Sequence, residues 1–240
     1  MIRDTLFTPV THRDTPFTWR GDAPTRLEAL TDAVFGFAIT LLIVSLEVPN
    51  TYTELLEAMR GFVPFAIGLF AMLYLWHCHH LYFRRFALHD RTVTILNGVL
   101  LFVILFYTFP LKFLATFLFN LTTGHYSTRG AANAVVPIQE AGNLLIIYCA
   151  GYFLVFGVLF SLYVHAFRRR ADLHLTPEEI VATRRQAAEY FAHVAIASLV
   201  AFTAALLPAP YAGLSGMLFF LVGLAVPLAL KFANRPAVPA

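Results

Sequence analysis

Two carboxylates, Asp32 and Glu47, frame an uncharged stretch of fourteen residues near the start of the chain. As a helix that stretch would be about 21 Å long, so both acids would sit near or inside the edges of a hydrocarbon core about 30 Å thick. A carboxylate at such depth is expensive unless it faces protein or water. A second group, Trp76-His77-Cys78-His79-His80, offers indole, imidazole and thiol, and Asn97 adds an amide. His77 and His80 could share a helix face and hold a metal. His79 would then point elsewhere, however, and no nearby cysteine or carboxylate completes a tetrahedral set, so no metal is expected. Haem ligation by two of His77, His165 and His193 is no better favoured by spacing than ordinary polar packing. Ser45, Ser161, Ser198 and Ser215 have no base within helical reach. The chemistry points away from an enzyme and toward polar groups held inside a membrane.

The composition requires such a membrane. The 240 residues are 59% hydrophobic and only 13% charged, and Cys78 and Cys149 both lie in apolar runs, so no disulfide framework is expected. Twenty-four phenylalanines spread through every apolar segment read as lipid-facing surface and helix packing. Six apolar segments run near residues 29–48, 59–83, 93–119, 141–167, 186–208 and 211–232. The expected fold is therefore an all-α integral membrane protein with six transmembrane helices. Residues 1–25 form an N-terminal segment, 26–233 the membrane domain and 234–240 a short tail. Residues 1–25 lack an apolar h-region, so the first spanning helix is expected to act as its own insertion signal. Pro110 and Lys112 interrupt the third segment, where a kink is expected. Thr176-Pro177-Glu178-Glu179 reads as a capping box that starts a helix ahead of the fifth segment. Gly151 with Gly157, and Gly213 with Gly216, read as small-residue helix contacts.

The arginines and lysines set the orientation. Fourteen of seventeen fall on one side, leaving Arg60, Lys112 and Arg129 on the other. Both termini are expected to be cytoplasmic, in the cell membrane, by the positive-inside rule. Asp32 lies six residues beyond Arg26, His79 and His80 four or five before Arg84, and Asn97 six beyond Arg91. With alternating helix directions these groups reach one depth near the inner face. Unpaired polar groups are expensive there, so they are expected to bond to each other. The competing reading is that they are headgroup anchors, for which Asp32 and Asn97 lie too deep.

The same residues carry a family resemblance. Arg26-x-x-x-Leu30-Thr31-Asp32-Ala33-Val34-Phe35 resembles the Arg-x-x-x-Phe-Ser-Asp signature opening the first helix of the potassium channels called transmembrane protein 175. Here Leu stands for Phe and Thr for Ser. Trp76-x-x-His79-His80-x-x-Phe83, then Asp90, Asn97 and Pro110, resemble that family's second and third helices in order and spacing. The likeness runs from Arg26 to about Phe119 and fades beyond. It implies a six-helix subunit with one repeat per chain, assembling as a homotetramer around the first helices. It also implies an inner polar network of Arg26, Thr31, Asp32, Trp76, His79, His80 and Asn97.

A pore reading then rests on the first segment. The chain has no Thr-Val-Gly-Tyr-Gly filter loop, so side chains on a helix would line any ion path. Counting from Asp32, the family's constriction falls on Phe37, with Thr40, Leu41 and Val44 on the following turns and Glu47 at the external mouth. By itself such a stripe more often marks a helix-packing seam. With the resemblance, it implies a passive, voltage-insensitive potassium leak channel with no cofactor beyond the permeant ion. Its partners would be three further copies and membrane lipid, with no nucleic acid. The alternative is a small-solute transporter or a non-conducting membrane scaffold, although no internal symmetry between the halves supports a transporter.

Overall fold

The computed structural model describes residues 17–21, 23–44, 50–123 and 136–233, and every regular element among them is helical. The helices are α1 (Arg26–Val44), α2 (Tyr52–Arg60), α3 (Phe62–Phe86), α4 (Arg91–Thr123), α5 (Ala141–Arg168), α6 (Pro177–Leu206), α7 (Ala209–Ala212) and α8 (Val222–Ala233). Short 3₁₀ turns at Ile138–Glu140 and Gly213–Leu221 lead into α5 and α8. Among the described residues, five stretches are long and apolar enough to cross a membrane: Phe62–Phe86, Arg91–Phe117, Ala141–Arg168, Pro177–Leu206 and Gly213–Ala233. The first apolar segment contains α1, and its residues 45–48 lie outside the described residues.

Local sequence explains most boundaries. Thr25 and Glu28 form a reciprocal cap at the start of α1: the Glu28 N–H donates to Thr25 Oγ1 at 3.3 Å and the Thr25 N–H to Glu28 Oε1 at 3.1 Å. The expected box at Thr176 and Glu179 opens α6, which continues unbroken to Leu206. Asp90 caps α4 by accepting from the Val93 N–H at 3.0 Å. Two boundaries differ from the sequence reading. The second segment is divided at Gly61 into α3 and a separate short helix α2, which Thr51 caps by accepting from the Glu54 N–H. The sixth opens at the end of the short helix α7 and continues as a 3₁₀ stretch before α8. α4 passes through Pro110 without a break, and the Tyr148 hydroxyl donates to the Pro110 carbonyl at 2.6 Å.

Two helix groups pack side by side. α1, α3 and α4 form one, α5, α6 and α8 the other, and α4 against α5 joins them. The shared core contains Tyr82, Phe83, Phe86, Leu159, Leu162, Tyr163 and Tyr190. Where α4 meets α5, the Tyr107 ring lies directly on Gly151, and its hydroxyl donates to the Ile147 carbonyl at 3.0 Å. A Cβ on Gly151 would overlap that ring, whereas one on Gly157 would have nothing within 4 Å. The pairing read from sequence therefore holds for Gly151 but not for Gly157, which faces open space. Gly151→Ala is expected to destabilise by about 1–3 kcal/mol through overpacking. Gly157→Ala should be neutral, and thermal unfolding of the two variants in detergent reads the difference.

One end of the molecule gathers the arginines. Residues 17–21 lie across the ends of α3 and α6, where the Arg20 N–H donates to the Arg84 carbonyl at 3.0 Å. Phe17 is buried edge-on against Phe86 at 5.7 Å. Glu179, 0% exposed, receives four bonds: two from the Arg20 guanidinium at 2.8 and 2.9 Å, and one each from the Thr18 and Thr176 N–H groups at 2.9 Å. A buried carboxylate so enclosed is compensated on every side. Nearby, Asp90 Oδ2 meets His165 Nε2 at 2.6 Å and Arg169 at 3.7 Å. Burial pushes the Asp90 carboxyl up, but the Val93 N–H, His165 and Arg169 outweigh it and hold the group below its ordinary range.

Candidate functional site

The residues singled out around α1 divide between two of its faces. Thr31, Phe35, Ala38 and Leu42 recur at intervals of four, three and four, and all are buried against α3 and α4. Leu30, Ala33, Phe37 and Thr40 follow the same rhythm on the other side and are exposed. Phe37 has 57% of its surface free. Leu41 lies between the faces and is half-buried. The Val44 side chain and Glu47 lie outside the described residues.

On the buried face a three-residue relay crosses the helices. Thr31 and Asn97 are both 0% exposed, and His79 is 1% exposed. The Thr31 hydroxyl donates to the Leu27 carbonyl at 2.8 Å, so its oxygen is free to accept. Asn97 Nδ2 fills that role at 2.8 Å. The Asn97 carbonyl oxygen is then turned to His79 Nε2, also at 2.8 Å, so Nε2 carries the proton and donates. Each group can play only one part, so the Thr31 hydroxyl fixes the polarity of the whole relay. The imidazole lies against Phe83 at 4.6 Å and Phe35 at 6.4 Å between ring centres.

A second contact lies at the edge of α1. Trp76 Nε1 donates to Asp32 Oδ1 at 2.7 Å, and the indole stacks on His80 at 5.4 Å. Asp32 itself is exposed. The structure therefore brings together Thr31, His79 and Asn97 in one relay, and Asp32, Trp76 and His80 in a neighbouring pair of contacts. Arg26 is not part of either: it is exposed at the start of α1 and makes no hydrogen bond or ion pair with a described residue. Within one chain the network is thus two units rather than one, because Asp32 meets α3 only at the exposed edge of α1, through Trp76, and Arg26 is exposed at its start.

The other histidines have separate surroundings. His77 is exposed, and His165 is engaged by Asp90. His193 Nδ1 pairs with the Tyr152 hydroxyl at 2.6 Å. Among the described residues no three His, Cys, Asp or Glu side chains converge as a metal site would require. Sequence reading missed the second role of Glu179 and the docking of residues 17–21. The capping box pointed to Glu179, but no local signal could pair it with Arg20, 159 residues away.

Comparison with known proteins places this geometry. Residues 26–107 match the family model described as the endosomal/lysosomal potassium channel TMEM175. A potassium channel of Marivirga tractuosa is 35% identical over 182 residues, which are 75% of this chain and 74% of the relative. The chain belongs to the TMEM175 potassium channel family. A potassium channel of Chamaesiphon minutus is 29% identical over 62% of this chain and 71% of its own length. In structure, a variant of the potassium channel MtTMEM175, crystallised with a nanobody–MBP fusion, superposes with a TM-score of 0.80 at 30% identity. That match covers 92% of this chain and 97% of the other. A TMEM175 homologue from Chamaesiphon minutus shares the fold with a TM-score of 0.52 at 23% identity, over 88% of this chain and 96% of the other. The family is one of ion channels, not of enzymes. The likeness reaches well past Phe119, where the sequence motifs fade: the structural match covers 92% of this chain and the Marivirga tractuosa match runs over 182 residues.

Proposed function

We propose that four copies of this chain surround a central axis with α1, and that the assembly passively conducts potassium across the cell membrane. The carrying observation is the free face of α1. Leu30, Ala33, Phe37 and Thr40 form an exposed stripe on a helix whose opposite stripe is buried in its own subunit. The relatives named as potassium channels support the choice of ion. In this reading each subunit spans the membrane six times, with both termini cytoplasmic, as the arginine distribution argues. Phe37 forms the constriction, Thr40, Leu41 and Val44 the turns beyond it, and Glu47 the outer mouth. The Thr40 hydroxyl proton is shared between the Phe37 and Gly36 carbonyls at 2.7 and 3.2 Å. Its oxygen lone pairs therefore remain to face a passing cation, and no cofactor beyond the permeant ion is needed. The Asp32–Trp76 and Thr31–Asn97–His79 units hold the inner end of α1 in register, and Arg26 finds its partner across the subunit boundary. No helix carries arginine at every third position, so conduction is insensitive to voltage.

Reconstitution into liposomes with a potassium gradient tests the reading, alongside stoichiometry in detergent. A tetramer with potassium flux is expected. A monomer or dimer without flux would instead leave the transporter or scaffold alternative. Glu47→Gln is expected to lower conductance at low salt and much less at high salt, since screening removes the advantage of a charged mouth. A salt-independent effect would make Glu47 structural.

A further inference from the structure

Away from α1, the arginine-rich end carries a groove of about 460 Å³ between α5, α6 and α8. Ala187 and Ala188 of α6 and Ala229 of α8 leave the space open, and Phe167, Phe191 and Phe232 border it. Arg184 is the charged residue among those lining it. Arg184 and Phe191 lie seven residues apart on α6, about 10.5 Å along its axis. The groove is therefore cationic at one end and apolar for two turns beyond it. Phe191 and Phe232 expose 54% and 60% of their surface.

A second cation marks the same end. The Arg170 guanidinium lies over the Phe167 ring at 4.8 Å and donates to the Phe167 carbonyl at 3.1 Å. Of the neighbouring arginines, Arg169 has Asp90 and Asp172 and Arg20 has Glu179, while Arg168 and Arg185 pair with no carboxylate among the described residues. Arg184 forms no hydrogen bond or ion pair with a described residue. A guanidinium lining an apolar groove and a second resting on its bordering Phe167, neither on a carboxylate among the described residues, match one class of molecule in both charge and shape.

We propose that this groove holds an anionic phospholipid. Its phosphate accepts from Arg184 and Arg170, and an acyl chain lies along Ala187 and Ala188 toward Phe191. The guanidinium fork suits phosphate oxygens, and an apolar groove alone would take any lipid. The combination selects an anionic headgroup. The proposal does not rest on potassium conduction.

The test uses the full chain in detergent. Phosphatidylglycerol or phosphatidylcholine is added, thermal unfolding is followed, and retained lipid is counted by native mass spectrometry. The parent should be stabilised by phosphatidylglycerol at lower concentration than by phosphatidylcholine, and should retain it. Arg184→Gln should weaken that preference about fivefold, one arginine's share at an anionic surface. Ala188→Phe fills the groove without touching the charge and should abolish the preference. Ala229→Phe does the same from the facing helix if the first plug fails to fold. Equal stabilisation by the two lipids in the parent would overturn the proposal, as it would if a neighbouring copy covered the groove. So would a preference lost in Arg184→Gln but intact in both plugged variants, which marks surface charge without a groove. Equal stabilisation by inorganic phosphate would reduce the site to a simple anion contact and overturn the lipid.

Discussion

Phe37→Ala is expected to raise potassium flux by about tenfold or more, the effect of lowering a barrier by about 1.4 kcal/mol. Phe37 is the largest side chain of the exposed α1 stripe among the described residues, and 57% of its surface is free within one chain. In the proposed tetramer four phenyl rings face the axis. A dehydrated cation finds no hydrogen-bond acceptor among them, and an apolar constriction of this kind resists wetting. Truncation to alanine widens and wets it, so the preference for potassium over sodium should weaken as flux rises. If the stripe is instead a packing seam, the same change removes a buried ring at about 3–5 kcal/mol. The tetramer would then be lost without any gain in flux. A stable tetramer with the parent's flux and selectivity would remove Phe37 from the pore.

The second large effect belongs to Asn97. Asn97→Leu removes both middle bonds of the buried relay at once. The Thr31 oxygen and the His79 Nε2–H would each be left without a partner at about 1–3 kcal/mol. A fall in thermal stability is expected, with α1 loosened from α3 and α4. Asp32→Asn should be far milder within one chain. Its partner there is the neutral Trp76 indole, and an asparagine oxygen can still accept that N–H. From the sequence alone, Asp32→Asn is expected to impair folding or assembly more than conduction, on the reading that Asp32 has charged partners. Unfolding curves of the two variants, read beside their stoichiometry, separate the cases. Equal loss in both would mean that Asp32 meets a charge across a subunit boundary. An unaffected Asn97→Leu would show that the relay contributes nothing to holding α1.

The sequence by itself determined the membrane class, the apolar segments, the side that gathers arginine, and the cap that starts α6. Each of these is a local or compositional property. Length and hydropathy decide whether a segment can span, and a Thr-Pro-Glu-Glu run satisfies orphan N–H groups wherever it is placed. The motif residues Thr31, His79 and Asn97 were also legible, because polar groups at one depth in an apolar helix bundle must find each other.

Tertiary structure decided the rest. α1 is apolar nearly all round, so its periodicity defines two stripes without saying which is inside. Packing against α3 and α4 buries Phe35, Ala38 and Leu42 and leaves Phe37 and Thr40 free. The split of the expected network into two units follows from the same rotation, which turns Thr31 inward and Asp32 to the edge. α2 was hidden because nine residues of mixed polarity between two apolar runs resemble a loop. Three of the four bonds on Glu179 join positions 159 or 161 residues apart, and no local pattern encodes a contact that only the closed fold creates.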